Sequence, residues 1–236
     1  MTETLVFLPE QMSDARLYGP QIAEMSRDQA VMIAPITQGD RIEEIASTLL
    51  DLVPTRFALV GHGMGGIVAM EVYRRAPDRV TRLALMGTTP LAETPQVAAL
   101  RDPQMIRARA GRFDAVLAEE FRLADLAPGP HQREVLALVL EMARGLGPEV
   151  FVRQSRAMQR RRDQQGTLRR INVPTLVLCG AEDRLYPVKR HSFMAEMIPK
   201  AELRVIEDAG HMPMLEQPEA VTDALLGWLA QPLLLR

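Results

Sequence analysis

With 28 lysines and arginines against 30 acidic residues, a net charge of −2, this 236-residue chain lacks the basic surplus of a nucleic-acid or anionic-membrane binder. Its 47% hydrophobic and 25% charged content is that of a soluble globular protein, long enough for one α/β domain with an inserted subdomain. No apolar run approaches the roughly 18 residues of a membrane span, and the opening MTETLVFLPEQ has no signal-peptide pattern.

The single cysteine, Cys179, lies in the apolar run PTLVLCG, so no disulfide can form within the chain. A cytoplasmic protein with no membrane or nucleic-acid partner is expected. Lys189 and Lys200 are the only lysines, and arginine in a pocket would suit an anionic ligand.

In chain order, short apolar runs bounded by turn residues predict strands at 4–9 (TLVFLP), 30–36 (AVMIAPI), 57–61 (FALVG) and 82–87 (RLALMG). Two more are expected at 175–180 (TLVLCG) and 203–208 (LRVIED). Helical spacing fills 41–52, 67–75, 188–198 and 218–229. Strands alternating with helices argue βαβ units and a mostly parallel sheet, and near-continuous apolar strands are what burial on both faces requires.

Residues 91–170 break the rhythm. They carry helical patterns punctuated by APGPH and GLGP, with no convincing strand. The segment is expected to form a helical cap inserted in an α/β core made of 1–90 and 171–236, because a structureless loop of that length would be implausible. Met105, Leu136, Leu140, Met142 and Met158 are candidate pocket residues on this cap, although helix faces packing on one another would account for most of them. His131 and His191 read as surface or packing residues.

Residues 61–66 read GHGMGG between a predicted strand and a predicted helix. This matches a small-x-nucleophile-x-small elbow everywhere except at the nucleophile. Gly61 and Gly65 allow close approach of strand and helix, and His62 belongs to the same pattern. Gly63 suits the positive φ that the central residue of such a turn adopts. A phosphate cradle ranks low, since neither G-x-G-x-x-G nor a P-loop lysine is present. Asp183 follows the strand at 175–180 and His211 follows the last strand, so both sit at strand ends from which side chains converge in open α/β sheets. No histidine or carboxylate spacing suggests a metal, and no cofactor is expected.

With GHGMGG, GAEDRLYP and GHMPMLEQPE in this order, the chain resembles the α/β-hydrolase fold superfamily over almost its whole length, in particular short bacterial members lacking the first two strands. The resemblance implies an α/β fold with a mostly parallel sheet. It also implies a catalytic set of the residue at 63, Asp183 and His211, where the family usually has serine in place of Gly63. The oxyanion donors it implies are the backbone N–H groups of Met64 and Gln11, from the loop LPEQMSD. Glu10 replaces a usual glycine in that loop; it and Met12 are candidate residues at the site mouth, and a solvated loop glutamate is the expectation for Glu10.

Three readings are open. The chain is a serine hydrolase of a small carboxylic ester, thioester or lactone, with Gly63 an engineered inactivation that leaves turnover absent or very slow. Alternatively it is a natural ligand-binding homologue without catalysis, or an enzyme that needs only the His211–Asp183 pair. A dehalogenase is disfavoured because that branch carries an aspartate at the elbow.

Overall fold

The computed structural model describes residues 3–232. Its centre is a six-stranded sheet in the order β2-β1-β3-β4-β5-β6, in which every neighbouring pair is parallel. The strands are β1 (Thr4–Leu8), β2 (Val31–Ile33), β3 (Phe57–His62), β4 (Val80–Met86), β5 (Thr175–Gly180) and β6 (Ala201–Ile206). β3, β4 and β5 are buried at every position, as expected of strands covered on both faces.

One face is covered by α2 (Ile42–Leu52), α3 (Met64–Arg75) and α9 (Val188–Met197), the other by α1 (Gly19–Met25), the short α10 (Pro213–Glu216) and α11 (Pro218–Leu229). The sequence pattern explains each choice of face. In α2, Ile42, Ile45, Ala46 and Leu49 fall on one stripe and are buried. In α11, Val221, Leu225 and Trp228 do the same, and the Trp228 indole N–H donates to the Pro174 carbonyl (3.1 Å).

Several elements differ from the expectations: α1 was not expected, and β4 starts at Val80, not at 82. β2 stops at Ile33 instead of continuing to 36: it pairs only with β1, through Leu5–Val31, Val6–Met32 and Phe7–Ile33, and Pro35 has no N–H to extend the ladder. The third helix begins at Met64, not at 67, because the elbow residues already take up helical geometry. β6 lies two residues earlier than expected, and Asp208, at φ 53°, belongs to the turn after it.

Between β4 and β5 the described residues form no strand. They fold into α4 (Pro95–Arg107), α5 (Phe113–Glu120), α6 (Gln132–Leu146), α7 (Pro148–Gln159) and α8 (Gln165–Leu168). A separate apolar cluster holds α4 to α7 together around Phe151, Val116, Leu117 and Met105, with Met12 from the loop after β1 inserted into it. No helix is long and apolar enough to cross a membrane among the described residues.

Candidate active site

The turn from β3 into α3 sits at the carboxyl end of the central strands. Gly63 has φ 53° and ψ −116°, a backbone state that costs a side-chain-bearing residue strain. A Cβ on Gly61 would run into the Gly65 backbone, and one on Gly65 into the Leu8 and Pro9 carbonyls, so helix, elbow and the loop after β1 touch backbone to backbone. The turn is pinned from below. Gly63 N–H donates to the Met86 carbonyl (3.0 Å), and Thr88 Oγ1 donates to the Gly63 carbonyl (2.7 Å). Thr88 N–H in turn donates to Nε2 of His191 (3.1 Å). His191 is therefore a buried brace, not a surface residue, and burial pushes its pKa down to about 4, keeping it a neutral acceptor.

Asp183 and His211 converge on this turn. Asp183 Oδ2 lies 3.0 Å from His211 Nδ1, while Oδ1 accepts the N–H groups of Leu185 and Tyr186 (2.9 Å each). Both side chains are buried, with Asp183 3% and His211 4% exposed. The His211 loop is held by Glu216, whose carboxylate accepts the N–H groups of Met212 (2.8 Å), Gly210 (2.9 Å) and Ala127 (2.7 Å). Glu216 was visible only as part of GHMPMLEQPE; its role appears once the turn closes on it.

Glu10 is not a solvated loop residue. It is 7% exposed, and its carboxylate lies in the volume that a side chain at position 63 would occupy. A Cβ built on Gly63 would overlap the carboxylate; even the more distant oxygen, Oε1, would stand 2.7 Å away. Oε1 accepts the N–H groups of Met64 (2.9 Å) and of Gln11, the two donors expected to serve an oxyanion. Oε2 lies 3.2 Å from His211 Nε2. The result is a continuous chain, Glu10–His211–Asp183, with an imidazole between two carboxylates.

Charge follows from this geometry. Burial opposes the His211 cation, but the Asp183 charge and hydrogen bond, joined by those of Glu10, outweigh it and raise the pKa from 6.5 to about 10. Burial alone would raise Glu10, yet the hydrogen bond and charge of His211, helped by His62 and the Met64 N–H, leave it below the usual carboxylate value. Asp183 is depressed for the same kind of reason. At neutral pH the site holds an imidazolium flanked by two carboxylates. In that state His211 has no lone pair free for base catalysis.

A cavity of about 510 Å³ opens over Glu10 and His211. Glu10, Gln11 and His211 form its floor, Tyr186 and Arg190 one wall, and residues from α4 to α7 the rest. Of the methionines expected to line a pocket, Met158 does so. Met12, Met105 and Met142 do not: they are buried in the apolar clusters between helices, where flexible side chains fill gaps. Most cavity charges are paired, with Glu93 between Arg101 (2.7 Å) and Arg161 (2.5 Å). Arg190 differs. Among the described residues it has no carboxylate partner; it donates to Thr89 Oγ1 (3.1 Å) and lies 5.8 Å from the centre of the Tyr186 ring.

Glu10, His62 and His211 place ligand atoms within 4.8 Å of one another, a grouping sequence spacing does not reveal because its members come from three segments. His62 Nδ1 lies 3.0 Å from the Met86 carbonyl and Nε2 has no partner. A cation here would have to displace the His211 proton and break its pairing with Glu10, so the donor chemistry fits a metal poorly.

Residues 26–224 match the family model described as the alpha/beta hydrolase family, a span that leaves out the loop bearing Glu10. The chain is 29% identical over 202 residues to a pimeloyl-acyl-carrier-protein methyl ester esterase of Aromatoleum aromaticum, covering 77% of each. Its fold superposes on a thermophilic esterase from Thermogutta terrifontis in a malate-bound structure, with TM-score 0.88, 26% identity and coverage of 97% and 90%. An enol-lactonase from Burkholderia xenovorans shares the fold at TM-score 0.83 and 24% identity, with coverage of 98% and 92%. The extent of the family match and the parallel sheet agree: the chain belongs to the alpha/beta hydrolase family.

Proposed function

We propose that the chain is a small-molecule hydrolase whose reaction is run by Glu10, His211 and Asp183, with Gly63 serving as the space that admits Glu10. The observation that carries this reading is the position of the Glu10 carboxylate. It takes up the volume of a side chain at 63, both backbone donors and His211 Nε2 at once. A chain damaged only at its serine would leave the two N–H groups and the imidazole open to substrate. Here an acidic side chain is fitted to all three.

Residues 91–170 serve as the cap, and the substrate is a small or medium molecule with an apolar part, in keeping with the ester and lactone hydrolases named among the relatives. Turnover by a serine-type acyl-enzyme is absent, since position 63 has no hydroxyl. The test is a panel of p-nitrophenyl esters, γ-lactones and small alkyl electrophiles, run with the wild type and with Glu10→Gln. The amide keeps the shape and loses the charge, so a loss of at least ~10²-fold on whichever substrate turns over is expected for a group acting in acid–base or nucleophilic chemistry. Equal rates in both proteins would overturn the reading.

A second reading has one observation in its favour. Oε1 sits on the paired donors as the oxygen of a bound carboxylate would, which suits a binding protein whose site is closed by its own side chain. On that reading no substrate turns over, and Glu10→Gly binds small carboxylates that the wild type does not.

A further inference from the structure

Four arginines line the cavity, and three of them are matched: Arg101 and Arg161 by Glu93, Arg122 by Asp125. Among the described residues Arg190, the fourth, has no carboxylate partner, yet its guanidinium is held in place. One N–H group donates to Thr89 Oγ1 (3.1 Å), and the guanidinium lies over the Tyr186 ring. Stacking on an aromatic face leaves the remaining N–H groups in their own plane, a fork that suits a two-oxygen acceptor. We infer that Arg190 is the specificity-determining residue of the cavity, and that the substrate carries a carboxylate at the end remote from the bond that reacts. This inference rests on reading the cavity over Glu10 and His211 as the substrate site, and it adds the chemical class of what enters.

Distance and charge orient the substrate in the same way. The Tyr186 ring stands between the two ends of the site, its centre 5.7 Å from that of the His211 ring and 5.8 Å from the Arg190 guanidinium carbon. A carboxylate on Arg190 therefore reaches Glu10 and His211 with its other end only when several atoms of chain separate the two. The floor holds the carboxylates of Glu10 and Asp183 around one imidazolium, an excess of one negative charge. It repels an anionic end that Arg190 on the wall attracts. Leu126, Leu136, Val139 and Met158 give the chain between them an apolar lining.

The same charges select among anions. A singly charged carboxylate balances Arg190, while the second charge of a phosphate would find no cation left to meet it. Tyr186 does not compete for that balance: burial pushes its pKa up to about 12, so at neutral pH the ring beside Arg190 carries no charge. Half-esters of dicarboxylic acids and lactones that bear a carboxylate arm fit this description; short neutral esters leave Arg190 without a partner.

The experiment is calorimetric titration of the full chain at neutral pH with 6-oxoheptanoate, which has a carbonyl near one end and a carboxylate at the other. The control is 2-heptanone, the same chain with a methyl group in place of the carboxylate. The wild type is expected to bind the keto acid at least ~10-fold more tightly than the ketone, as hydrogen bonds to a charged group allow. Arg190→Gln is expected to lose that preference and to hold the ketone as before. Equal wild-type affinity for the two ligands overturns the proposal, as does a preference unchanged in Arg190→Gln. Tighter binding of n-hexyl phosphate than of the keto acid overturns the carboxylate assignment. Where the variant does not fold, phenylglyoxal labelling of wild-type Arg190 decides: the keto acid should slow it and the ketone should not, and equal labelling overturns the proposal. Glu10-dependent turnover without a carboxylate preference removes this inference and leaves the Glu10–His211–Asp183 reading standing. A carboxylate preference without Glu10-dependent turnover does the reverse.

Discussion

If Glu10 and Gly63 occupy one volume between them, replacing either should depend on the other. Gly63→Ser alone adds a side chain at φ 53°, costing ~1–3 kcal/mol in backbone strain, and drives it into the Glu10 carboxylate, costing a further ~1–3 kcal/mol of overpacking. The sum, about 4 kcal/mol, corresponds to a melting temperature lower by roughly 8–16 °C for a domain of this size. In a Glu10→Gly background the carboxylate is gone and only the backbone term remains. The four-protein cycle should therefore show a coupling of about 2 kcal/mol, with the double variant more stable than the sum of the single effects predicts.

Urea denaturation measures the cycle, and p-nitrophenyl butyrate hydrolysis with fluorophosphonate labelling follows the chemistry. Only the double variant combines a serine, a His211 released from Glu10 and two vacant backbone donors. Each oxyanion donor is worth roughly 10²–10³-fold in rate, so ester turnover in the double variant should exceed either single variant by at least ~10²-fold. Single-variant effects that add within about 0.5 kcal/mol, or full ester activity in Gly63→Ser alone, would refute the shared-volume argument.

Other expectations follow from the same contacts. The wild type should show no adduct with a fluorophosphonate by intact mass, as position 63 carries no hydroxyl. EDTA should leave wild-type turnover unchanged, because Glu10 and His211 are engaged with each other; a loss restored by added zinc would show that the Glu10, His62 and His211 set holds metal. Glu216→Ala strands the N–H groups of Gly210, Met212 and Ala127 and should cost about 2–3 kcal/mol in a thermal melt, with the His211 loop loosened.

Stability should also depend on pH in a defined window. Glu10 and Asp183 are depressed in the fold, so their contribution is present above their ordinary values of 4.5 and 3.8 and is lost on acidification through the lowered values. His211 is raised, so its contribution is present below 6.5 and is lost as pH climbs through about 10. His62 and His191 are lowered to about 4, so below their ordinary 6.5 the unfolded chain binds protons that the fold does not and stability falls; the maximum therefore lies near pH 6.5, and urea midpoints should fall on both sides of it.

Much of this arrangement was legible in the sequence. The strands leading to the elbow, Asp183 and His211 are marked by local patterns, apolar runs ending in Gly or Asp, and their positions in chain order place them at one sheet edge. The role of Glu10 was not legible in the same way. Locally it is one acidic residue after Pro9, and solvated loop glutamates are common; only the parallel pairing of β1 with β3, which sets Leu8 beside Gly61, brings its carboxylate to Gly63. The signal available was a pair of departures, a charged residue where the resembling family has glycine and a glycine where it has serine, whose complementarity in volume needs three dimensions. Met12, Met105 and Met142 failed as pocket residues for a related reason, since helical spacing identifies an apolar face but not whether a helix or a cavity covers it.

The claim on which the account turns is that a buried Glu10 carboxylate is paired with His211. Titration of the histidine ring signals by NMR, in the wild type and in Glu10→Gln, tests it without any substrate. The predicted result is a His211 signal that titrates near pH 10 in the wild type and at a clearly lower pH in the amide variant, with His62 neutral down to about 4. A His211 signal that titrates near 6.5 and does not move when Glu10 becomes an amide would contradict it.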